Sequence, residues 1–232
     1  MATRSDISKL NIDRFHFSVR IRTLFFPVGL HEFTTGLQKK GFEILPQVQR
    51  LLEQTPIGTK LSVSGPVARR QSPDVQVTMD GGTGVLGVQG RDIQGVIAAL
   101  EEIEGLLSED LAVEISSYER FYELILEGEV YVGAARNPID RVSSLYTDSK
   151  HFQALQKVLG EPVMTYGVRL VSKGVAPDTA NWEEIKIEPS IAKAKTTYSV
   201  SIILRRDDKA AVQRFATRLP DLIERLIETI ES

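Results

Sequence analysis

The amino-acid sequence predicts an α+β protein in which two similar β/α units form a mainly antiparallel sheet with helices packed on one face. Runs of alternating apolar and polar residues, typical of half-buried strands, recur along the 232 residues. Each half of the chain closes with a strongly amphipathic helical segment. The order of these elements repeats after about half of the chain, which indicates an internal duplication.

A strand over 13–26 opens the first half, because apolar side chains alternate there with polar and cationic ones. Its apolar face carries Phe15, Phe17, Val19 and Ile21, and its polar face carries His16, Ser18, Arg20 and Arg22. Apolar residues at helical spacing then predict helices over 30–40 and 46–54, with a short strand at 42–45 between them.

Three short β-rich runs follow at 60–64, 75–79 and 83–88, and turn-forming residues separate them. This spacing predicts an antiparallel meander. Asp92 is a good N-cap residue, and the apolar stripe behind it predicts a helix over 93–107 that closes the first half.

The second half begins with a predicted strand at 112–116, and residues 117–127 after it fit either a strand or a helix. We predict a helix, since Ser116 and Glu119 have the spacing of a capping box and Gly128 stands where a helix-ending glycine belongs.

Pro138 then opens a helical segment, and a second helix is predicted from Asp148 or Ser149 to Gly160. Three strand candidates come next, at 163–171, 183–188 and 195–205. A long amphipathic helix from about Asp208 closes the chain, and Pro220 is predicted to kink it or to begin a second helix.

Two local similarities support the duplication. The sequence HEFTTGLQKKG at 31–41 resembles KHFQALQKVLG at 150–160, and a strand followed by Arg-Asp and a helix occurs at 91–107 and at 206–227. We therefore divide the chain into a first unit, 1–110, and a second unit, 111–232, which form two units or one continuous domain.

The composition excludes several classes of function. The chain has no cysteine, so disulfides, thiolate nucleophiles and cysteine-based metal centres are excluded. The net charge of −3 provides no overall attraction for nucleic acid or an anionic membrane. No stretch approaches the roughly 20 apolar residues that span a bilayer, and the first residues lack the apolar core of a signal peptide. We expect a cytoplasmic protein without a membrane partner.

One glycine pattern resembles a cofactor motif. Gly82, Gly84 and Gly87 have the spacing of a dinucleotide-binding fingerprint, but the helix which that motif requires begins only after Gly90. We interpret the segment as a hairpin turn, and we predict no cofactor.

No group of residues predicts catalysis or a metal ion. The three histidines, His16, His31 and His151, are not at metal-ligand spacing. Glu119, Glu123 and Glu127 recur at a spacing typical of a solvated helix face. No catalytic residue and no metal ligand is therefore predicted.

Arginines supply the candidate binding residues. Arg20 and Arg22 lie on the polar face of the first strand, and Arg69 and Arg70 are predicted in a turn. These four are candidates for contacts with an anion or a nucleic acid, and aromatic residues nearby could stack on bases. The aromatic candidates are Phe25, Phe26 and Tyr198, and the further arginines considered are Arg136, Arg141, Arg205 and Arg206.

The sequence favours a non-enzymatic binding or interaction protein that uses the duplicated sheet as a platform. The long apolar stripes of its helices fit a homodimer, although packing within one chain explains them equally well. Two alternatives stay open: a nucleic-acid-associated module that uses arginines on the exposed sheet face, and an enzyme with no recognisable motif. The sequence does not identify the ligand, partner or reaction.

Overall fold

A nine-stranded antiparallel sheet organises the protein. The computed structural model describes residues 10–23, 26–57 and 63–232. The strands are β1 (Asn11–Ile21), β2 (Glu43–Ile44), β3 (Ser64–Gln71), β4 (Asp74–Asp80), β5 (Val85–Gly90), β6 (Arg120–Tyr131), β7 (Val168–Val171), β8 (Glu183–Pro189) and β9 (Thr197–Arg206). Within the described ranges, no helix combines the length and the apolar character that crossing a membrane requires.

Six α-helices connect and flank these strands in the described part of the chain. They are α1 (Leu30–Lys39), α2 (Pro46–Gln54), α3 (Ile93–Gly105), α4 (Pro138–Ser144), α5 (Lys150–Leu159) and α6 (Lys209–Glu231). A π-helical turn, Leu106–Asp110, extends α3, and a 3-10 turn, Ile115–Ser117, precedes β6.

The strand order, β2-β3-β4-β5-β1-β6-β9-β8-β7, repeats outward from the centre. The first strands of the two halves, β1 and β6, pair antiparallel in the middle, and the last strands of each half, β5 and β9, flank them. The remaining strands continue the antiparallel order to both edges. This arrangement confirms the predicted duplicated α+β fold. The boundary between residues 110 and 111 stays a prediction.

The predicted helix at 117–127 is wrong, because most of this segment belongs to β6. This strand pairs antiparallel with β1 on one side and with β9 on the other. Tyr122, Leu124 and Leu126 are buried at every second position, as a strand requires. Gly128 does not end a helix: a Cβ atom there would lie 2.5 Å from the carbonyl oxygen of Asn11 across the sheet. The correction makes both halves begin with a strand.

Several predicted boundaries also change. The strand predicted at 112–116 is absent, and a loop and the 3-10 turn stand there. The first strand ends at Ile21 instead of 26, and the strand predicted at 163–171 is restricted to β7. The run at 60–64 lies mostly outside the described residues, while β3 continues through Pro66 to Gln71. Pro220 lies inside α6, which continues past it as one helix.

The two long helices cover one face of the sheet. The Asp92 carboxylate accepts hydrogen bonds from the backbone N–H groups of Gln94 and Gly95 at 3.2 and 3.0 Å, which confirms the predicted N-cap of α3. Asp208 caps α6 in the same way, through Ala210 N at 2.9 Å. The sheet side chains that pack beneath these helices are fully buried, among them Phe15, Phe17, Val19, Leu124, Leu126, Val200 and Ile202.

The second face of the sheet, which we call the open face, carries the alternate residues of the same strands. The ladder aligns Arg20 of β1 with Phe121 of β6, and Glu123 of β6 with Arg205 of β9. These side chains are partly or fully exposed. The antiparallel registers therefore decide which polar and aromatic groups meet on the open face.

Candidate functional site

Most charged side chains on the open face are neutralised by a partner. Arg14 binds Glu127 at 2.9 Å across the central strand pair, and similar pairs continue to both edges. The others are Arg205–Glu123, Arg69–Glu43, Arg169–Glu184, Lys186–Glu188 and Lys193–Glu129. The exposed pairs among them add little stability, but all of these pairs cancel the local field. The sheet face is therefore not a continuous cationic surface.

A cleft of about 580 Å³ interrupts this balanced surface at one end of the sheet. The ends of β1, β6 and β9 form its floor, and the turn at 81–84 and the loop at 172–182 contribute to its walls. Its lining residues include four arginines and two carboxylates. They are Arg20, Ile21, Arg22, Thr23, Gly82, Thr83, Glu119, Arg120, Phe121, Asp178, Ala180 and Arg205.

Phe121 lies between two guanidinium groups on the cleft floor. The Cζ atoms of Arg20 and Arg205 are each 5.8 Å from the centre of its ring, within the range of a cation–π interaction. The β1–β6 register produces the first contact, because Arg20 and Phe121 are direct partners in the ladder. An aromatic ring flanked by cations is thus fixed by rigid strands.

The arginines of the cleft differ in how firmly they are held. Arg205 donates hydrogen bonds to the Glu123 carboxylate and to the Pro177 carbonyl, which ties the 172–182 loop to the sheet. Arg20 donates to the Thr83 carbonyl at 3.3 Å and forms no ion pair with any residue in the described ranges. Within these ranges, Arg20 therefore has no carboxylate partner.

Arg22 and Glu119 form an ion pair at the mouth of the cleft. Their side chains are 79% and 73% exposed, and the shortest N–O distance is 3.1 Å. In a pair this exposed, another anion can easily replace the carboxylate as the partner of the arginine. Arg22 is held in place by its backbone, because Arg22 N donates to the Glu119 carbonyl at 2.8 Å and so extends the central ladder.

Of the four arginines predicted from the sequence, Arg20 and Arg22 line the cleft and Arg69 and Arg70 do not. The latter two lie in β3 and not in a turn. Arg69 binds Glu43 at 2.9 Å, and this hydrogen bond raises the pKa of Arg69. Arg70 points to the helix face, where it binds Glu102 at 2.7 Å and lies over the ring of Phe42. A binding role for these arginines stays a prediction.

Two of the three aromatic residues predicted to stack on bases are not available for that purpose. Phe26 and Tyr198 are fully buried, and the Tyr198 hydroxyl donates a hydrogen bond to Glu231 near the end of α6. Phe25 lies outside the described residues. Phe121 is not among the predicted binding residues, because it lies in the segment 117–127 that was predicted to be a helix. The signal was present, since Phe121 shares the phase of Glu119 and Glu123 in an alternating strand.

His16 occupies the middle of the open face in a structural role. Its Nε2 atom is 2.9 Å from the Thr78 hydroxyl, and the ring crosses over Gly87, where a Cβ atom would lie 2.5 Å from Nε2. Burial, assisted by the charge of Arg14, lowers the pKa of His16 to about 4. The imidazole is therefore neutral near pH 7.

The two other histidines occupy equivalent positions near the starts of α1 and α5, and they do not meet His16. His31 Nε2 is 3.1 Å from the Thr55 carbonyl oxygen, and His151 is exposed. In the described ranges, no group of three or more His, Asp or Glu residues could hold a metal ion. The predicted glycine-rich hairpin is confirmed: Asp80 accepts hydrogen bonds from Gly82 N and Thr83 N within the turn.

No protein-family model and no curated protein matches the sequence. A similar solved structure is Methanococcus jannaschii TBP, which is 13% identical to this chain with a TM-score of 0.36. That similarity covers 94% of this chain and 99% of the other. The roles of the cleft residues therefore follow from this chain's own geometry.

Gly84 allows the 81–84 turn to close against the end of β1. Its φ is +69°, and a Cβ atom would lie 2.1 Å from the Ile21 carbonyl oxygen. We expect Gly84→Ala to lower the free energy of unfolding by roughly 2–3 kcal/mol, from strain plus the backbone clash. The control is Gly41→Ala, at a φ of +80° with open space around it, which should cost only about 1 kcal/mol. Equal losses in urea unfolding would contradict the close approach.

The neutral His16 makes stability depend on pH. The pKa of His16 is about 4 in the folded protein and 6.5 ordinarily. Between pH 4 and pH 6.5, His16 is therefore protonated in the unfolded chain and neutral in the folded protein. Stability from this group is complete above pH 6.5 and is lost as the pH falls toward 4, by about 3 kcal/mol in total. We expect the free energy of unfolding to fall less steeply over this window in His16→Gln. Parallel pH profiles for the two proteins would exclude this role.

Proposed function

We propose that the protein is a non-enzymatic binding protein whose cleft, at the end of the duplicated sheet, takes an anionic ligand. The observation that carries the proposal is the grouping of Arg20, Arg22 and Arg205 around Phe121 in a cleft of about 580 Å³. This volume is within the range of small-molecule pockets, roughly 300–1,000 Å³.

The charges in the cleft favour an anion. Arg20 has no carboxylate partner among the described residues, and the partner of Arg22 is exposed and exchangeable. A phosphate or carboxylate could accept charge-assisted hydrogen bonds from both guanidinium groups. Arg205 already has Glu123 and a backbone carbonyl as partners, so its role is to hold the cleft together.

The two alternatives have less support. Ion pairs across the rest of the open face argue against a nucleic acid that lies along the whole sheet, because such binding requires many unpaired cations. The described lining of the cleft contains two carboxylates, Glu119 and Asp178, as possible bases, but no histidine, lysine or serine beside them. Binding is therefore the function that this cleft supports best.

We expect Arg20→Gln to weaken the binding of inorganic pyrophosphate about tenfold, because one charge-assisted hydrogen bond to the anion is lost. Arg22→Gln should weaken it less, since Glu119 competes for Arg22 in the free protein. Isothermal titration calorimetry at low salt measures the affinities.

The matched control is Arg69→Gln, which removes an exposed arginine on the same face outside the cleft. It should leave pyrophosphate binding unchanged. An equal loss in Arg69→Gln, or no binding to the unchanged protein at low salt, would refute an anion site in the cleft.

We also propose that the protein forms a homodimer through α5 and the edge strand β7. Support comes from a contrast between the halves: α1 buries Leu30, Phe33 and Leu37, whereas α5 buries no residue. Leu155 and Leu159 of α5 are 57% and 59% exposed. β7 is the edge strand of the sheet in the described part of the chain, and a two-fold axis would pair it with its own copy.

Light scattering after gel filtration tests this dimer. The chain of 25.8 kDa should elute at twice that mass, and the double variant Leu155→Glu/Leu159→Glu should elute as a monomer. Ile191→Glu is the control, because Ile191 is 89% exposed in the turn between β8 and β9, outside α5 and β7. A monomeric mass for the unchanged protein at about 100 µM, a concentration at which micromolar dimers form, would contradict the proposal.

A further inference from the structure

We infer that the ligand of the cleft is a nucleoside phosphate, with its base on the ring of Phe121 and its phosphate between Arg20 and Arg22. This inference rests on the proposed anion-binding function and adds the chemical class of the ligand. It combines three observations: an accessible aromatic ring on the cleft floor, unpaired or exchangeable cations beside it, and a charge pattern that limits the ligand's length.

The ring of Phe121 is presented for stacking. It belongs to the open-face phase of β6, so the strand backbone directs it away from the core, and it is only partly buried. Its two guanidinium neighbours lie 5.8 Å from the ring centre, whereas Arg70 lies 4.4 Å from the centre of Phe42 and stacks closely on it. Neither guanidinium group packs closely on the Phe121 ring, so a base that stacks there would displace one of them. Aromatic side chains are the usual platforms for bases.

The phosphate position follows from the spacing of the two arginines. Residues two apart in an extended chain point to the same side, about 7 Å apart. Arg20 and Arg22 obey this rule, because the hydrogen bond from Arg22 N to the Glu119 carbonyl continues the ladder beyond β1. Both guanidinium groups can reach one phosphate between them. The ligand phosphate would replace Glu119 as the partner of Arg22.

The carboxylates beyond the cleft limit the ligand. Glu123 and Glu127 follow Phe121 along the open-face side of β6, and each is already paired with an arginine. A polyanion continuing along the strand would meet these carboxylates, and the arginines beside them are already paired. The cleft therefore accommodates one nucleotide, which is either a free mononucleotide or the phosphorylated end of a single strand.

Calorimetric titration with four probes tests the inference: adenosine 5′-monophosphate, adenosine, inorganic phosphate and a 5′-phosphorylated pentanucleotide. We expect the mononucleotide to bind about tenfold more tightly than phosphate or adenosine alone, since stacking and charge contribute together. Phe121→Leu should lower the mononucleotide affinity about tenfold more than it lowers the phosphate affinity. Retained phosphate binding also shows that this variant is folded. Tyr131→Leu, another exposed aromatic residue of β6 outside the cleft lining, is the control and should change neither affinity.

The outcomes separate the two proposals. Equal binding of phosphate and mononucleotide, or an unchanged mononucleotide affinity in Phe121→Leu, overturns the nucleotide inference and leaves the anion site standing. Absence of binding by every probe overturns both. Tighter binding of adenosine than of the mononucleotide overturns the role of the arginines. The pentanucleotide identifies the source: it supports a strand end if it binds more tightly than the mononucleotide, and a free nucleotide if it binds equally or more weakly.

Discussion

The antiparallel pairing of β1 with β6 is the constraint on which the rest of the structure depends. It joins the first strands of the two halves, and each half then adds its remaining strands outward from this pair. The pairing also fixes the phase of both strands. Phe17 and Leu124 face the helices together, while Arg20 and Phe121 face the open side together. A slip of one residue would exchange the faces and bury the arginines.

The open face shows how a duplicated sheet can carry a local site without a global field. A net charge of −3 and a series of cross-strand ion pairs leave most of the surface neutral. The cleft at the end of β1 is different, because Arg20 has no carboxylate partner among the described residues and Arg22 pairs there with an exposed carboxylate. Its specificity would come from a few rigidly held groups, since Phe121 and Arg205 lie on central strands and Arg205 fixes the neighbouring loop.

The sequence predicted those elements whose local pattern and tertiary environment agree. The alternation in β1, β8 and β9 and the apolar stripes of α3 and α6 were sufficient, because each of these elements buries its apolar residues on one face. β6 was predicted wrongly, because its open-face positions include Phe121 and Ile125. These two apolar residues are four apart, which is also the spacing of one helix face. The pairing with β1 and β9 outweighs the local signals that favour a helix.

The candidate site was predictable only where its residues belong to a strand with a clear alternating pattern. Arg20 and Arg22 follow from the alternation of one strand, so they could be placed on the polar face in advance. Phe121 depends on the state of β6, and the role of Arg205 depends on the contact with the distant 172–182 loop. Arg69 and Arg70 could not be placed correctly, because they were predicted in a turn and lie in a strand. Adjacent residues of a strand point to opposite faces, so Arg69 binds Glu43 and Arg70 binds Glu102.

The location of the binding site is the central claim, and backbone amide NMR during a titration with adenosine 5′-monophosphate measures it most directly. The account predicts chemical-shift changes confined to residues around the cleft, at 20–23, 82–84, 119–121 and 178–180 and at Arg205. Changes centred instead on the ion-paired part of the sheet, around Arg14, Glu127 and Glu184, would contradict it.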